Sequence, residues 1–129
     1  MHRISILAAF VLFFCVAGSN VQAQEIAVEE IQICTSVEDR EPLGTDTSFD
    51  SNVERLYCFT KLVGADEGTT IMHVWYHEDE EKATTELNVG GSPWRTWSSK
   101  AIWEGWVGKW RVEVVANGNV LKTVEFTVQ

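Results

Sequence analysis

The amino-acid sequence predicts an all-β protein, an antiparallel sandwich of about seven strands behind a cleavable signal peptide. Short runs of β-branched and aromatic residues alternate with turn residues at fairly even spacing after residue 24. The same part of the sequence lacks helical periodicity. The N-terminus has a short, positively charged start, Met1-His2-Arg3, that an apolar run follows.

The first 23 residues predict the signal peptide. Arg3 supplies a positive charge, residues 4–17 are almost wholly apolar, and small residues before the bond after Ala23 suit signal peptidase. The apolar run is shorter than the about 20 residues that a permanent membrane helix needs, although a retained anchor is the alternative. We therefore expect a single domain over residues 24–129, periplasmic or secreted, with no membrane insertion after cleavage.

Seven segments of the mature part alternate apolar and polar residues, as strands do. In order they are residues 27–37, 56–63, 70–76, 82–89, 94–99, 106–115 and 120–128. A polar loop is expected over residues 38–52, and Asn117-Gly118 favours a two-residue hairpin. This number of strands in about 100 residues fits an immunoglobulin-like sandwich, although the sixth segment lacks the cysteine of antibody domains.

Cysteine usage agrees with an oxidising compartment. Loss of Cys15 with the signal peptide leaves Cys34 and Cys58, an even pair. A Cys34–Cys58 disulfide would close a loop of about 25 residues and stabilise the fold by roughly 3 kcal/mol. Two buried free thiols are the alternative.

The charge balance limits the partners. The formal net charge is −9, and signal cleavage removes Arg3 but none of the 19 acidic residues. Such a surface repels phosphate backbones and anionic lipid headgroups. We therefore expect neither nucleic acid nor a membrane surface as a partner, and the sequence suggests no cofactor.

Six ordered motifs run through nearly all of the mature part. They are CTSVEDREP at 34–42, LYCFT at 56–60, HVWY at 73–76, WRTWSSK at 94–100, GKWRVEV at 108–114 and FTV at 126–128. Together they resemble the bacterial domain-of-unknown-function family numbered 2914. The resemblance implies a β-rich module of exported or membrane-tethered proteins, and it carries no activity, ligand or catalytic residue. Two features depart from the family pattern: the acidic turn at 77–81 and Trp103.

Six tryptophans exceed the about one or two expected for this length. Trp75 and Trp110 alternate with branched aliphatic residues and are predicted to fill the core. Trp94 and Trp97 have opposite parity on one strand, so at most one of them faces the core. Trp103 and Trp106 flank Glu104-Gly105 and are expected to lie in a loop.

We predict that the exposed indoles form a ligand-binding surface. Its residues are Trp97 and Trp103, with Arg95 and Lys100 as polar neighbours. A flat indole can stack on a sugar ring or anchor a protein partner. The alternative is that these indoles only cover the ends of the sandwich.

Catalytic and metal-binding groups lack partners in the sequence. His73 and His77 are about 13 Å apart along a strand, and we expect His73 to be a half-buried, hydrogen-bonded neighbour of Trp75. The acidic run 78–81 lacks the glycine-bearing spacing of calcium loops. Residues 98–100 bring hydroxyls near an amine, but adjacent strand residues face opposite ways. We therefore expect no enzyme and no metal site.

The leading functional expectation is a non-catalytic module that binds a glycan or an envelope protein through exposed tryptophans. The rival is a structural or assembly protein that pairs with its partner through an edge strand, at 120–128 or 27–37. An enzyme would require a deep pocket that holds His73 with a carboxylate and a hydroxyl in reach.

Overall fold

The computed structural model describes residues 25–129, so the predicted signal peptide lies outside the described residues. Ten strands follow one another: β1 (Ala27–Cys34), β2 (Ser36–Glu38), β3 (Glu41–Leu43), β4 (Ser48–Phe49), β5 (Arg55–Val63), β6 (Thr69–His77), β7 (Glu80–Val89), β8 (Trp94–Ala101), β9 (Gly108–Ala116) and β10 (Asn119–Val128). Over this range no helix has the length and apolar character needed to cross a membrane.

The strands form two main sheets. One has the order β1-β5-β8 and the other the order β4-β10-β9-β6-β7, while β2 and β3 form a small hairpin of their own. The long strands pair antiparallel, and only the short β4 joins β10 in parallel among the described strands. The predicted antiparallel β-sandwich is confirmed.

The period-two pattern of the sequence builds the core. On β9, Trp110, Val112 and Val114 are buried and alternate with more accessible residues, and Leu56 and Leu62 lie inward on β5. Because successive side chains point to opposite faces of a strand, the inward rows of the two sheets meet. They form one large apolar cluster around Trp75, Trp110 and Phe126, and a second one around Leu62, Ile71 and Val114.

All seven predicted strand segments correspond to strands of the structure. Three further strands are short: β2 continues the first predicted segment after a break at Thr35, whereas β3 and β4 lie in the predicted loop. Each of these strands has only two or three residues, which is too short for an alternating pattern to be read.

Two-residue hairpins connect neighbouring strands. Asn117 and Gly118 both have positive φ angles, as a type I′ turn requires, so the predicted hairpin is confirmed. Glu78 and Asp79 adopt the same conformation without a glycine. The Glu78 carboxylate accepts the Lys109 N–H at 3.0 Å, which helps to hold this acidic tip against β9.

Cys34 and Cys58 are buried free thiols in the structure, not the predicted disulfide. Cys34 lies opposite Tyr57 in the β1–β5 ladder, whereas Cys58 lies opposite Ile33. Directly paired residues share a face and adjacent residues alternate, so the two thiols lie on opposite faces of the sheet. A disulfide needs Cβ atoms about 4 Å apart that point toward each other. The spacing in sequence allowed a bridge, but the register does not.

Candidate ligand-binding site

The loop between β8 and β9 brings two tryptophans face to face. The Trp106 N–H donates to the Trp103 carbonyl at 3.0 Å, and Gly105 between them has a φ of 87°. A positive φ at the third position is typical of a type II turn and favours glycine there. The two indoles stack with centroids 5.0 Å apart and planes 19° apart. The turn thus sets the spacing of the pair.

The stack continues from this pair into the core. His77 packs against two indoles, with its ring centroid 6.2 Å from that of Trp106 and 4.6 Å from that of Trp110, and these two indole centroids are 6.0 Å apart. Trp110 is only 2% exposed, whereas Trp103 at the other end is 64% exposed. We call Trp103, Trp106, His77 and Trp110 the aromatic column. It connects a solvent-facing indole to the sandwich core.

Hydrogen bonds fix the middle of the aromatic column. His77 Nε2 lies 2.7 Å from the Val107 carbonyl oxygen, which can only accept, so this nitrogen carries the proton. Trp110 Nε1 donates to the Trp106 carbonyl oxygen at 2.9 Å. Rings held in this way lose little conformational freedom when a ligand stacks on the exposed end.

Two lysines flank the aromatic column. Lys82 Nζ lies 4.9 Å and Lys100 Nζ 5.0 Å from the centroid of the Trp106 ring, within the range of cation–π attraction. Lys82 also pairs with Glu80, with a distance of 3.4 Å between Nζ and Oε1. The column therefore carries two ammonium groups beside one partner carboxylate.

Lys100 is the less compensated of the two lysines. Its Nζ donates to the Ala101 carbonyl oxygen at 3.2 Å. Burial, and then the positive charges of Arg55 and Lys82, lower the pKa of Lys100. Among the residues that the structure describes, no carboxylate lies within ion-pair distance of Lys100.

The structure places Trp97 and Arg95 away from the aromatic column. Both lie on the outer face of the three-stranded sheet, where Trp97 pairs with the buried Phe59 and is 36% exposed. Arg95 contacts Glu41 of the β2–β3 hairpin with a distance of 3.4 Å. Lys100 has the opposite parity on β8 and faces inward.

The four predicted binding residues therefore belong to two surfaces. Arg95 and Trp97 lie on the outer sheet face, while Lys100 and Trp103 lie at the aromatic column. Sequence reasoning missed three neighbours that the fold brings there: Trp106 as a stacking partner, His77 and Lys82. The signal for His77 is its pairing with Trp110 across β6 and β9, which becomes visible only once the strand order is known.

A separate polar network crosses the core between the two sheets. The Trp75 Nε1–H donates to Ser98 Oγ at 3.0 Å, and Ser98 Oγ lies 2.7 Å from His73 Nδ1. Thr60 Oγ1 donates to the Thr96 carbonyl at 2.9 Å, so it accepts from His73 Nε2 at 3.3 Å. Every polar atom of the network thus has a partner when the imidazole is neutral.

His73 is wholly buried, not half-buried as the sequence predicted. Burial lowers its pKa to about 4. Its side-chain partners among the described residues are hydroxyl groups, and the site is closed to solvent. Within residues 25–129 no group of three or more potential metal ligands comes together. The network therefore connects the sheets and keeps an uncharged imidazole in the core.

Comparison with known proteins addresses the family and the fold. Residues 68–128 match the family described as protein of unknown function (DUF2914). Over these residues the chain is similar to the DUF2914 family. The predicted resemblance is confirmed, although the motifs at 34–42 and 56–60 precede the matched segment. The DUF2914 segment contains all four rings of the aromatic column and both flanking lysines.

Solved structures show the same fold. An immunoglobulin-like protein from Pseudomonas aeruginosa is similar with a TM-score of 0.60 at 19% identity, covering 83% of this chain and 99% of that one. The alkylpurine DNA glycosylase of Pseudomonas fluorescens, bound to DNA containing an abasic site analog, has a TM-score of 0.52 at 13% identity. That match covers 81% of this chain and 30% of the glycosylase. No curated protein matches the chain. At these identities the likeness concerns the immunoglobulin-like fold alone.

Proposed function

We propose that this chain is an exported, non-catalytic binding module that takes a glycan at the exposed end of its aromatic column. The observation that carries the proposal is Trp103, a 64% exposed indole held by a turn and stacked on a second indole. An exposed apolar ring costs free energy in water unless a ligand covers it. A sugar ring with an apolar face is a ligand of matching shape.

A glycan fits this end better than a protein interface does. Specific protein interfaces cover about 800 Å² on each partner, with an apolar centre that neighbouring contacts shield from water. Here the large exposed apolar side chains are Trp103 and Val107, which is 46% exposed. Leu43, Trp97 and Val120 are the other exposed ones among the described residues, and they lie on other segments. One exposed ring, stacked on an indole that two lysines contact, suits a small ligand.

Binding of oligosaccharides and purified envelope proteins, followed by intrinsic tryptophan fluorescence and calorimetry, tests the proposal. We expect Trp103→Ala to weaken glycan binding by about 2 kcal/mol, the loss typical of a central stacking residue. Val120→Ala removes an equally solvent-facing apolar group at a distant hairpin and should leave affinity unchanged. Trp97→Ala examines the outer sheet face separately. Glycan binding that survives Trp103→Ala contradicts the proposal, and so does binding only to an envelope protein.

Assembly through an edge strand is the second candidate function. β10 pairs with β4 only at Thr127 and Val128, and β1 pairs only with β5. Both strands named in the sequence analysis therefore keep backbone groups on an unpaired edge, which an extended partner segment could join. A cross-link that maps to β1 or β10 and is unaffected by Trp103→Ala would favour this function.

A further inference from the structure

We propose that the ligand of the aromatic column carries a carboxylate, as the uronic acid units of acidic glycans do. This inference rests on the proposed function and names the class of sugar that the site would take. It follows from two lysine side chains beside one indole stack, in a chain whose formal net charge is −9. The sugar ring would lie on Trp103, and the carboxylate would face the lysines.

The cations converge although the chain has few of them. Lys82 and Lys100 both lie within about 5 Å of the Trp106 ring, at 4.9 and 5.0 Å. Arg55 lies on the other face of the sheet, opposite Ala101, and its charge adds to the repulsion that lowers the pKa of Lys100. Glu80 pairs with Lys82, and neither Glu54 nor Glu104 makes an ion pair among the described residues. Like charges in proximity destabilise one another, and a bound anion relieves that repulsion.

Unused hydrogen-bond donors remain at this end of the sandwich. Lys100 uses one of its three N–H donors on the Ala101 carbonyl. Lys82 has Glu80 as its one ion-pair partner among the described residues, with 3.4 Å between Nζ and Oε1. A carboxylate offers two acceptor oxygens, and charge-assisted hydrogen bonds of this kind are among the stronger ones in proteins. The remaining donors can therefore bind a carboxylate without displacing a protein contact.

Three other cations have acidic partners, while Arg40, Lys109 and Lys122 make neither an ion pair nor a cation–π contact among the described residues. Lys61 pairs with Glu29 at 3.0 Å, Arg95 pairs with Glu41, and Arg111 pairs with Asp79. The contrast singles out the aromatic column as the place where positive charge and an exposed ring coincide. A small acidic sugar meets mainly this local field, because charges beyond about 10 Å are screened by salt. A polyphosphate would also meet the acidic remainder of the surface.

The test compares matched ligands on the mature chain, residues 24–129. The acidic probes are hexamers of galacturonate, mannuronate and hyaluronan, and the neutral probes are methyl-esterified galacturonate, cellulose and chitin oligomers. Esterification removes the charge of galacturonate and keeps its ring. A thymidine oligonucleotide serves as the polyphosphate probe. Dissociation constants are measured by calorimetry for the unaltered chain, Lys82→Gln, Lys100→Gln and the control Lys122→Gln, which alters an exposed lysine on β10.

We expect at least one acidic hexamer to bind, with Lys100→Gln raising its dissociation constant about tenfold and Lys122→Gln leaving it unchanged. Raising NaCl from about 50 to about 500 mM should weaken the same complex several-fold. Neutral oligomers that bind equally well, with no effect of the lysine substitutions, overturn the carboxylate inference and leave the proposed function standing. Binding of no sugar overturns both. Tighter binding of the oligonucleotide than of every sugar overturns the assignment to an acidic glycan.

Discussion

Acidification should destabilise the domain through one buried imidazole. Burial holds the pKa of His73 at about 4 in the folded chain, against an ordinary value of 6.5. Its neighbours Ser98 and Thr60 complete a hydrogen-bond network that suits the neutral ring. A proton on Nδ1 would leave the Ser98 hydroxyl hydrogen without this acceptor. The folded state therefore resists protonation until well below the pH at which an unfolded chain takes up the proton.

The size and sign of the effect follow from the two pKa values of His73. Above about pH 6.5 neither state binds the proton, and the stabilisation is fully present. Between about pH 6.5 and 4 the unfolded state binds more protons, so the free energy of unfolding falls as the pH falls. The difference between the two pKa values lowers the free energy of unfolding by about 3 kcal/mol at and below pH 4. That is a large share of the stability of a domain this size, about 5–15 kcal/mol.

Urea unfolding of the mature chain at about pH 7, 5.5 and 4 measures this loss. His73→Gln removes the titrating group, so its stability should fall about 3 kcal/mol less over this range than that of the unaltered chain. Ser99→Ala is the control because it removes no titrating group, and it should keep the full fall in stability. Carboxylates titrate alike in all three proteins. Equal pH dependence of stability with and without His73 would refute this account. An NMR titration of the His73 imidazole centred near pH 6.5 would refute it as well.

Two further predictions concern buried groups. Ser98→Ala should lower the free energy of unfolding by about 2–4 kcal/mol, because it leaves an indole N–H and an imidazole nitrogen unpaired in the core. The control Ser99→Ala, on the more accessible face, should lower the free energy of unfolding by about 0.5 kcal/mol. Cys34 and Cys58 should resist thiol reagents in the folded chain and should both react in urea without a reductant, since burial raises both thiol pKa values, that of Cys34 to about 11. A chain that releases no thiol on unfolding would instead carry the disulfide.

The fold could be predicted because its evidence is local. Alternation over Thr69–His77 or Asn119–Val128 is visible within one strand, and the Asn117-Gly118 turn specifies its hairpin without reference to the rest of the chain. The paired or unpaired state of the cysteines depends on the register between β1 and β5. A shift of one residue in that ladder would place Cys34 opposite Cys58 on one face, and the sequence spacing contains no measure of such a shift.

The candidate site could be predicted only in part, because the fold assembles it from distant segments. Trp103 and Lys100 stood out as an aromatic and a cation near a loop, but Lys82 and His77 enter through the pairing of β6 with β7 and β9. Arg95 is close to Lys100 and Trp103 in sequence, and yet it lies on the other face of β8. Proximity in sequence therefore suggested a single binding surface. Because alternate residues of a strand point to opposite faces, the predicted residues form two surfaces instead.

The two features that the sequence analysis expected to depart from the family pattern meet at the aromatic column. Residues 77–81 contribute His77 to the stack and Glu80 as the partner of Lys82, while Trp103 is the exposed outer ring. These segments are far apart in sequence, and the fold brings them to one end of the sandwich. Trp110, by contrast, lies in a shared motif and anchors the column in the core. Two separate segments thus supply the outer part of the column and a core strand supplies its anchor, which is the arrangement expected where a scaffold carries a particular ligand specificity.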